Sequence, residues 1–488
     1  MSGGNDPWDR CGRRFRQRSP TRAGDSSRAQ AADDSSLRLS SGRMLAWRAM
    51  QLQECTDRFL QDIFATLDAQ HSLVPRDRAA AVDIACGIVR RRRTLDAILQ
   101  KCTSRPQQQV EPDLWRVLQI GAFQLVISGT PPHAAVDSAV RLCRSLNCER
   151  WTGFVNGVLR NVGRLLTDDI STTPSSQAVP LTSGTWRLLK GPLFADPVSH
   201  LVEYVAEAFS LPSLLAERWA ARLTQEALFE TCFASCSPPR TTLRVNLLRT
   251  CTTDVAAMLR ADGCEAVPGN LEGSLVVSAA ARIDRLSGYS EGLWSVQDES
   301  AMAAGLLTDP KPGERILDLC AAPGGKTTHL AELSGDAAEI TACDISASRL
   351  QRLAENAARL RLDSIQPRLI TRDGGDIPEG PFDAVLVDAP CSNTGVLSRR
   401  PEARWRFRDA DLRDLAALQQ RLLLTACQRL APGGRIVYST CSLEPEENRE
   451  VADAVLSLQP GLRLAHEHQY FPGRSGDGAY QALLKAVP

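Results

Sequence analysis

Beyond about Gly292, five short apolar runs recur: Arg315–Leu319, Glu339–Cys343, Arg368–Ile370, Ala384–Val387 and Arg435–Tyr438. Ten or more residues of helical pattern separate most of them. Strands spaced in this way must be joined by crossover helices. The alternation therefore predicts a doubly wound α/β sheet of parallel strands over residues 291–488. In such a sheet ligands bind beyond the carboxyl ends of the strands. Functional residues are therefore expected immediately after each run.

The first run ends in Asp318-Leu319-Cys320-Ala321-Ala322-Pro323-Gly324-Gly325-Lys326. Small residues here let backbone approach a ligand, and the glycines open conformations closed to other residues. The spacing is neither a P-loop nor GxGxxG. The second run ends at Asp344, 20 positions after Gly324. An acid at that place can accept hydrogen bonds from ribose hydroxyls, or it can cap the helix beginning near Ser346. Asp373, after the third run, meets either an adenine amino group or the needs of the turn Asp373-Gly374-Gly375.

The fourth and fifth runs lead into Asp388-Ala389-Pro390-Cys391-Ser392 and Ser439-Thr440-Cys441-Ser442. Neighbouring parallel strands would bring both cysteines to one cleft. The other cysteines of the 15 carry no CxxC spacing, so no metal site is expected, and they read as free thiols, most of them buried. A cysteine beside a nucleotide-type loop and an acid suits covalent catalysis. A thiolate that adds to carbon 6 of cytosine turns carbon 5 into a nucleophile. Asp388 can hydrogen-bond the cytosine amino group and ring nitrogen 3. An amino-group methyltransferase needs no thiol and carries Asn/Asp-Pro-Pro-aromatic where this chain has Asp388-Ala389-Pro390-Cys391.

The rest of the chain reads as accessory domains. Residues 1–43 are rich in Arg and Ser, with few large apolar residues, and read as a disordered tail. Residues 44–170 show apolar spacings of three and four (Ala46, Met50, Phe59, Ile63; Ala81, Ile84, Ala85, Ile88), the mark of packed amphipathic helices. Pro131 and Pro132 open a new helix there. Residues 171–186 are Ser/Thr-rich and read as a linker. Residues 187–290 read as a helical connector leading to a small α+β subdomain.

Lys and Arg together number 57, as do Asp and Glu, so net charge decides nothing about partners. Basic clusters do stand out at Arg90–Arg93 and at Arg399, Arg400, Arg404, Arg406 and Arg408. With Trp405, the second cluster reads as a segment that holds phosphates and stacks a base. No stretch approaches the roughly 20 apolar residues of a membrane helix.

The two cysteine motifs resemble those of the RNA 5-methylcytosine methyltransferases, and Asp318–Lys326 is similar to that family's cofactor loop. Gln297-Asp298-Glu299-Ser300, Pro445-Glu446-Glu447-Asn448 and Asp477-Gly478-Ala479-Tyr480 resemble its flanking elements. Gly87-Ile88-Val89-Arg90, Pro131–Val136 and Phe154-Val155-Asn156-Gly157-Val158-Leu159-Arg160 resemble a NusB-like helical RNA-binding domain. The combination resembles the bacterial 16S ribosomal RNA cytosine-5 methyltransferases of the Sun/Fmu family.

That resemblance implies an all-α NusB-like domain, a small α+β subdomain and a Rossmann-like class I methyltransferase domain. It implies Cys441 as nucleophile, Cys391 in product release and Asp388 in orienting the cytosine. It implies S-adenosylmethionine held by Cys320, Ala321, Ala322, Pro323, Gly324, Gly325, Lys326, Asp344, Asp373 and Asp388, with no metal. The expected partner is ribosomal RNA, 16S or an assembling small subunit, and the expected protein is a cytoplasmic monomer.

Overall fold

The computed structural model describes residues 41–71, 74–278, 283–372, 374, 376–473 and 476–486. The tail lies outside them up to residue 40. The chain divides into two compact units, residues 1–238 with 400–407 and residues 239–399 with 408–488.

The first unit opens with α1 (Gly42–Cys55), α2 (Leu60–His71), α3 (Pro75–Cys102), α4 (Pro112–Val126), α5 (Pro132–Ser145) and α6 (Thr152–Leu165). Proline begins three of them, at positions where a helix has no use for the missing N–H. Helix α4 is buried on every side from Leu114 to Val126 and forms the centre of the bundle. Close crossings explain two glycines: a Cβ on Gly87 would lie 2.4 Å from Phe123, and one on Gly121 would lie 2.4 Å from Leu159.

Residues 171–186 are not a linker. Strands β1 (Leu166–Ser171), β2 (Ala178–Pro180) and β3 (Trp186–Leu189) form an antiparallel sheet in the order β1-β3-β2. Ala178, Val179, Trp186 and Leu189 are buried, and the Arg91 guanidinium donates to the carbonyls of Pro180 and Leu181. The hydroxyls that suggested a linker close a turn instead, with Thr182 and Thr185 oxygens 2.7 Å apart.

Helices α7 (Leu201–Ala208), α8 (Ser213–Arg222) and α9 (Gln225–Cys236) pack around Trp186, Tyr204, Phe209 and Phe233. They belong to the first unit, so the predicted 187–290 region divides at residue 238.

The second unit begins with β4 (Thr241–Val245), α10 (Thr252–Ala261), β5 (Ala266–Pro268), β6 (Ser274–Val277) and β7 (Trp294–Val296). They form the expected small α+β subdomain, with sheet order β5-β6-β4-β7 over a core of Leu243, Val255, Leu259, Leu275 and Trp294.

Next along the chain come α11 (Glu299–Thr308), β8 (Arg315–Asp318), α12 (Gly325–Leu333), β9 (Glu339–Asp344), α13 (Ala347–Leu360), β10 (Ile365–Leu369) and β11 (Phe382–Asp388). After α14 (Ala403–Arg406), which packs in the first unit, come α15 (Asp409–Arg429), β12 (Leu430–Thr440), α16 (Arg449–Leu458), β13 (Leu462–Tyr470) and β14 (Ala479–Ala486).

The sheet order is β10-β9-β8-β11-β12-β14-β13. Counted from β8 as the first strand, this is 3-2-1-4-5-7-6. Five strands are parallel, as predicted. The closing hairpin corrects the all-parallel expectation, because β14 runs antiparallel to both β12 and β13. The order reverses between β8 and β11, which makes their carboxyl ends the crevice for a ligand. The aligned pairs Leu386 with Asp318 and Asp388 with Ser439 hold the ends of β8, β11 and β12 nearly level. No helix among the described residues is long and apolar enough to cross a membrane.

Candidate active site

Asp318 closes β8 and is fully buried. Its Oδ2 accepts from Thr327 Oγ1 at 2.7 Å, and its Oδ1 has no hydrogen-bond partner among the described residues. It borders a cavity of about 300 Å³, also lined by Cys320, Ala322, Lys326, Asp388 and Arg399. Burial pushes the carboxyl of Asp318 up to about 7, with the Thr327 bond opposing and Asp388 adding to the rise.

Gly324 begins α12 in the left-handed region, at φ 101°, and a Cβ there would lie 2.7 Å from Leu353. Only glycine makes this turn. Ala321, Ala322, Pro323, Gly325 and Lys326 line the same cavity, the two alanines themselves buried. Burial, reinforced by the carboxylates around it, raises the Cys320 thiol well above its ordinary value, so this cysteine is a small apolar wall and not a nucleophile.

Asp344 ends β9 and serves the loop. Its Oδ2 accepts from Ala322 N at 3.3 Å and its Oδ1 from Ser346 N at 2.9 Å. The capping role allowed by the sequence is not the one it plays: Ser346 is the N-cap of α13 and the helix has no side-chain cap bond among the described residues, so Asp344 ties the loop before the helix instead. Asp373 lies outside the described residues. Asp376, its neighbour in the same loop, accepts from Thr371 N at 2.8 Å and from Thr371 Oγ1 at 2.9 Å, closing the turn.

Asp388 ends β11 and pairs with Lys326 Nζ at 2.7 Å. Burial works against the ammonium, but Asp388 outweighs it and raises the lysine's affinity for its proton; the Cys441 sulfur contributes in the same direction. Lys326 therefore joins the glycine loop to Asp388 and lies within electrostatic reach of Cys441.

The sulfurs of Cys391 and Cys441 are 2.9 Å apart, and Cys441 N donates to Cys391 Sγ at 3.3 Å. The Cys441 thiol also meets Asn393 Oδ1 at 3.4 Å. The bond to Cys441 and burial both push the Cys391 thiol far up, so Cys391 keeps its proton.

Beneath the pair lies Glu447, fully buried. It accepts from Ser392 N at 2.8 Å, from Gln419 Nε2 at 3.0 Å and from the hydroxyls of Ser392 and Ser442. One carboxylate thus ties both cysteine loops together. The sequence offered only the flanking Pro445–Asn448 likeness as a signal.

One further group escaped the sequence, and a second, Arg399, stood out there only as part of a basic cluster. Arg244 on β4 is buried and donates to Glu332 at 2.9 and 2.8 Å, to Gly325 O at 2.8 Å and to Thr328 Oγ1 at 3.0 Å. It fixes the first turns of α12; an arginine between the apolar residues of a strand was its one trace. Arg399 bridges Asp298, at 2.9 Å, and Asp477. Burial lifts the Asp477 carboxyl to about 6 against the pull of Arg399.

The basic clusters need correction. Arg404 is fully buried and donates to the carbonyls of Arg90 at 2.8 Å and Ser235 at 2.6 Å, while Trp405 Nε1 donates to Val89 O at 3.0 Å. Arg406 binds the carbonyls of Asp57 and Arg58. Arg90 and Arg91 are buried as well. The side chains of Arg91, Arg404, Trp405 and Arg406 thus hold carbonyl groups of the first unit, and the buried Arg91 and Arg404 are closed to RNA. Among the described residues, no group of three or more His, Cys, Asp or Glu side chains could hold a metal ion.

The raised Asp318 carboxyl gives a stability prediction. Between its unfolded value near 3.8 and about 7, the folded chain holds the extra proton, so Asp318 makes the protein lose stability as pH rises through that window. Asp318→Asn should be neutral near pH 4 and stabilising by several kcal/mol, on the order of 4, at pH 8. Urea titrations at the two pH values check this; equal effects at both would refute it.

A seven-stranded sheet in this order, with its penultimate position reversed, a glycine turn after the first strand and acids after the first, second and fourth, defines an S-adenosylmethionine-dependent methyltransferase. The sequence profile of the 16S rRNA methyltransferase RsmB/F family matches residues 305–484, and that of the NusB family matches residues 41–164. A Synechocystis sp. protein described as "Probable ribosomal RNA small subunit methyltransferase B" is 35% identical over 78% of this chain and 80% of its own. Ribosomal RNA small subunit methyltransferase B of Salmonella typhi is 31% identical over 91% of this chain and 98% of its own.

The chain belongs to the RsmB/F family, whose members are S-adenosylmethionine-dependent rRNA methyltransferases. The crystal structure of PH0851 shares the fold, with a TM-score of 0.71 at 24% identity, covering 91% of this chain and 98% of that one. A methyltransferase homolog protein from Pyrococcus horikoshii gives 0.53 at 26% identity, covering 59% of this chain and all of its own (100%).

Proposed function

We propose that this enzyme methylates carbon 5 of one cytosine in 16S ribosomal RNA through a covalent bond from Cys441 to the ring. The observation that carries the reading is the sulfur pair at 2.9 Å, at the level strand ends and beside the Lys326–Asp388 ion pair.

The residues present suit S-adenosylmethionine. The cavity has small walls at Cys320–Gly325, a buried carboxylate oxygen of Asp318 that lacks a partner among the described residues, and Asp388 at its edge. These residues with Lys326 and Asp344, and Asp373 by resemblance, would hold it. When bound, it supplies an electrophilic methyl group.

The chain's own groups do the remainder. Cys441, as thiolate, donates an electron pair to carbon 6 of cytosine. Asp388, held in place by Lys326, hydrogen-bonds the amino group and supports protonation at nitrogen 3 as the ring gains charge. The electron density so released makes carbon 5 nucleophilic. Carbon 5 bonds the methyl carbon as the methyl's bond to its sulfonium sulfur breaks; loss of the carbon 5 proton to water then re-forms the double bond and expels the Cys441 sulfur. Cys391, which keeps its proton, is the acid beside that leaving sulfur.

Asp388→Asn should lower kcat/KM by about 10²- to 10⁴-fold, the range for a lost general acid–base group. Bisulfite sequencing of 16S rRNA from cells with and without the gene tests the whole reading. If no cytosine loses its protection when the gene is removed, the reading fails.

A further inference from the structure

The first unit carries a cleft of about 880 Å³ between α5 and α6, far from the residues the chemistry uses in sequence. Arg144, Arg160, Arg164 and Lys190 line it, all exposed, and none makes a salt bridge among the described residues. Arg164 donates to Asn161 Oδ1 at 3.1 Å, which leaves its charge uncompensated. The one carboxylate on the cleft, Asp137, is engaged by Arg141 at 2.8 Å. Four uncompensated cations around one cleft repel one another, which a polyanion would relieve.

The floor supplies a second observation. Gly153 and Gly163 of α6 line the cleft, and a Cβ on either would meet nothing within 4 Å. Packing does not require glycine there, and alanine would favour the helix. Their use keeps bare backbone open along the cleft, as a close-approaching chain demands.

We infer that this cleft binds a single-stranded stretch of the substrate RNA through its phosphates, away from the target base. The inference rests on the reading that the substrate is RNA, and it assigns the contact to phosphate and not to base edges, because the free groups are cations without an acceptor array. It places the RNA contact of this unit on α5, α6 and Lys190; Arg90 and Arg91 of the Arg90–Arg93 cluster are buried.

The test uses the full chain and a short oligouridine, which contains no cytosine and so does not depend on the catalytic pocket. The variant R144Q/R160Q/R164Q/K190Q changes only exposed side chains, and circular dichroism verifies its fold. Oligouridine binding should weaken by about 10- to 100-fold, and the slope of log affinity against log salt should flatten by about 2–3, at roughly 0.7 per phosphate released. Unchanged affinity and slope would overturn the proposal and leave the cleft to an acidic protein.

The variant G153A/G163A should melt at the same or a higher temperature, by up to about 4 °C, yet bind oligouridine more weakly. Wild-type affinity in that variant would remove the role given to bare backbone. If wild-type protein leaves every cytosine of a 16S transcript unmodified while oligouridine binding still depends on the four cations, the functional reading fails and the cleft stands.

Discussion

Cys441→Ser is expected to lower methyl transfer at least about a thousandfold, because a neutral hydroxyl is a far weaker nucleophile toward carbon 6 than a thiolate. Serine keeps the contact to Asn393 Oδ1 and adds no bulk, so the fold and the cavity at Cys320–Lys326 should be unaffected. Binding of S-adenosylmethionine by calorimetry should therefore match the parent. Transfer of a tritiated methyl group to a 16S transcript is the readout. Activity within tenfold of the parent would mean that the reaction does not pass through a bond to this sulfur.

Cys391→Ala should show the opposite pattern. The attack on the ring needs only Cys441, so bond formation should proceed. Release should be slowed by about 10²-fold or more, the scale of a lost general acid. The enzyme should then accumulate on its RNA as a complex that survives denaturing electrophoresis, approaching one RNA per protein. The sulfur separation of 2.9 Å and the retained proton of Cys391 motivate this division of labour. A variant that turns over normally, or one that forms no adduct with cytosine-containing RNA, would reject it. The double variant Cys391→Ala/Cys441→Ser should form none.

Much of the site was readable because strand ends punctuate the sequence. Asp318, Asp344 and Asp388 each end or succeed an apolar run, and Gly324 marks a turn that only glycine completes. The paired cysteines stood out because both come directly after strands, and the register Asp388 with Ser439 brings them together.

What was lost had physical causes. Strand β13 alternates weakly between apolar and polar residues and so was not read as a strand; the reversal into β14 was marked by Pro472, Gly473, Gly476 and Gly478, but without its first strand the antiparallel hairpin was not predicted. The Ser/Thr content of residues 171–186 hid a small sheet because its buried apolar residues are few and its hydroxyls bond locally. The arginine clusters misled more deeply. Composition cannot distinguish a guanidinium in solvent from one whose donors all meet backbone carbonyls, as those of Arg404 largely do. Glu447 and Arg244 matter through partners distant in sequence, which no local pattern displays.

The pairing of Asp388 with Ser439 sets the spacing of the two cysteine sulfurs first in the hydrogen-bond ladder of β11 and β12, with Glu447 holding the loops beyond. A slip of one residue between those strands would turn one of the two cysteine loops toward the opposite face of the sheet. Drift in length is therefore tolerable in surface connections such as the one between α16 and β13, but a single inserted or deleted residue inside either strand would disarm the enzyme while leaving a folded protein behind.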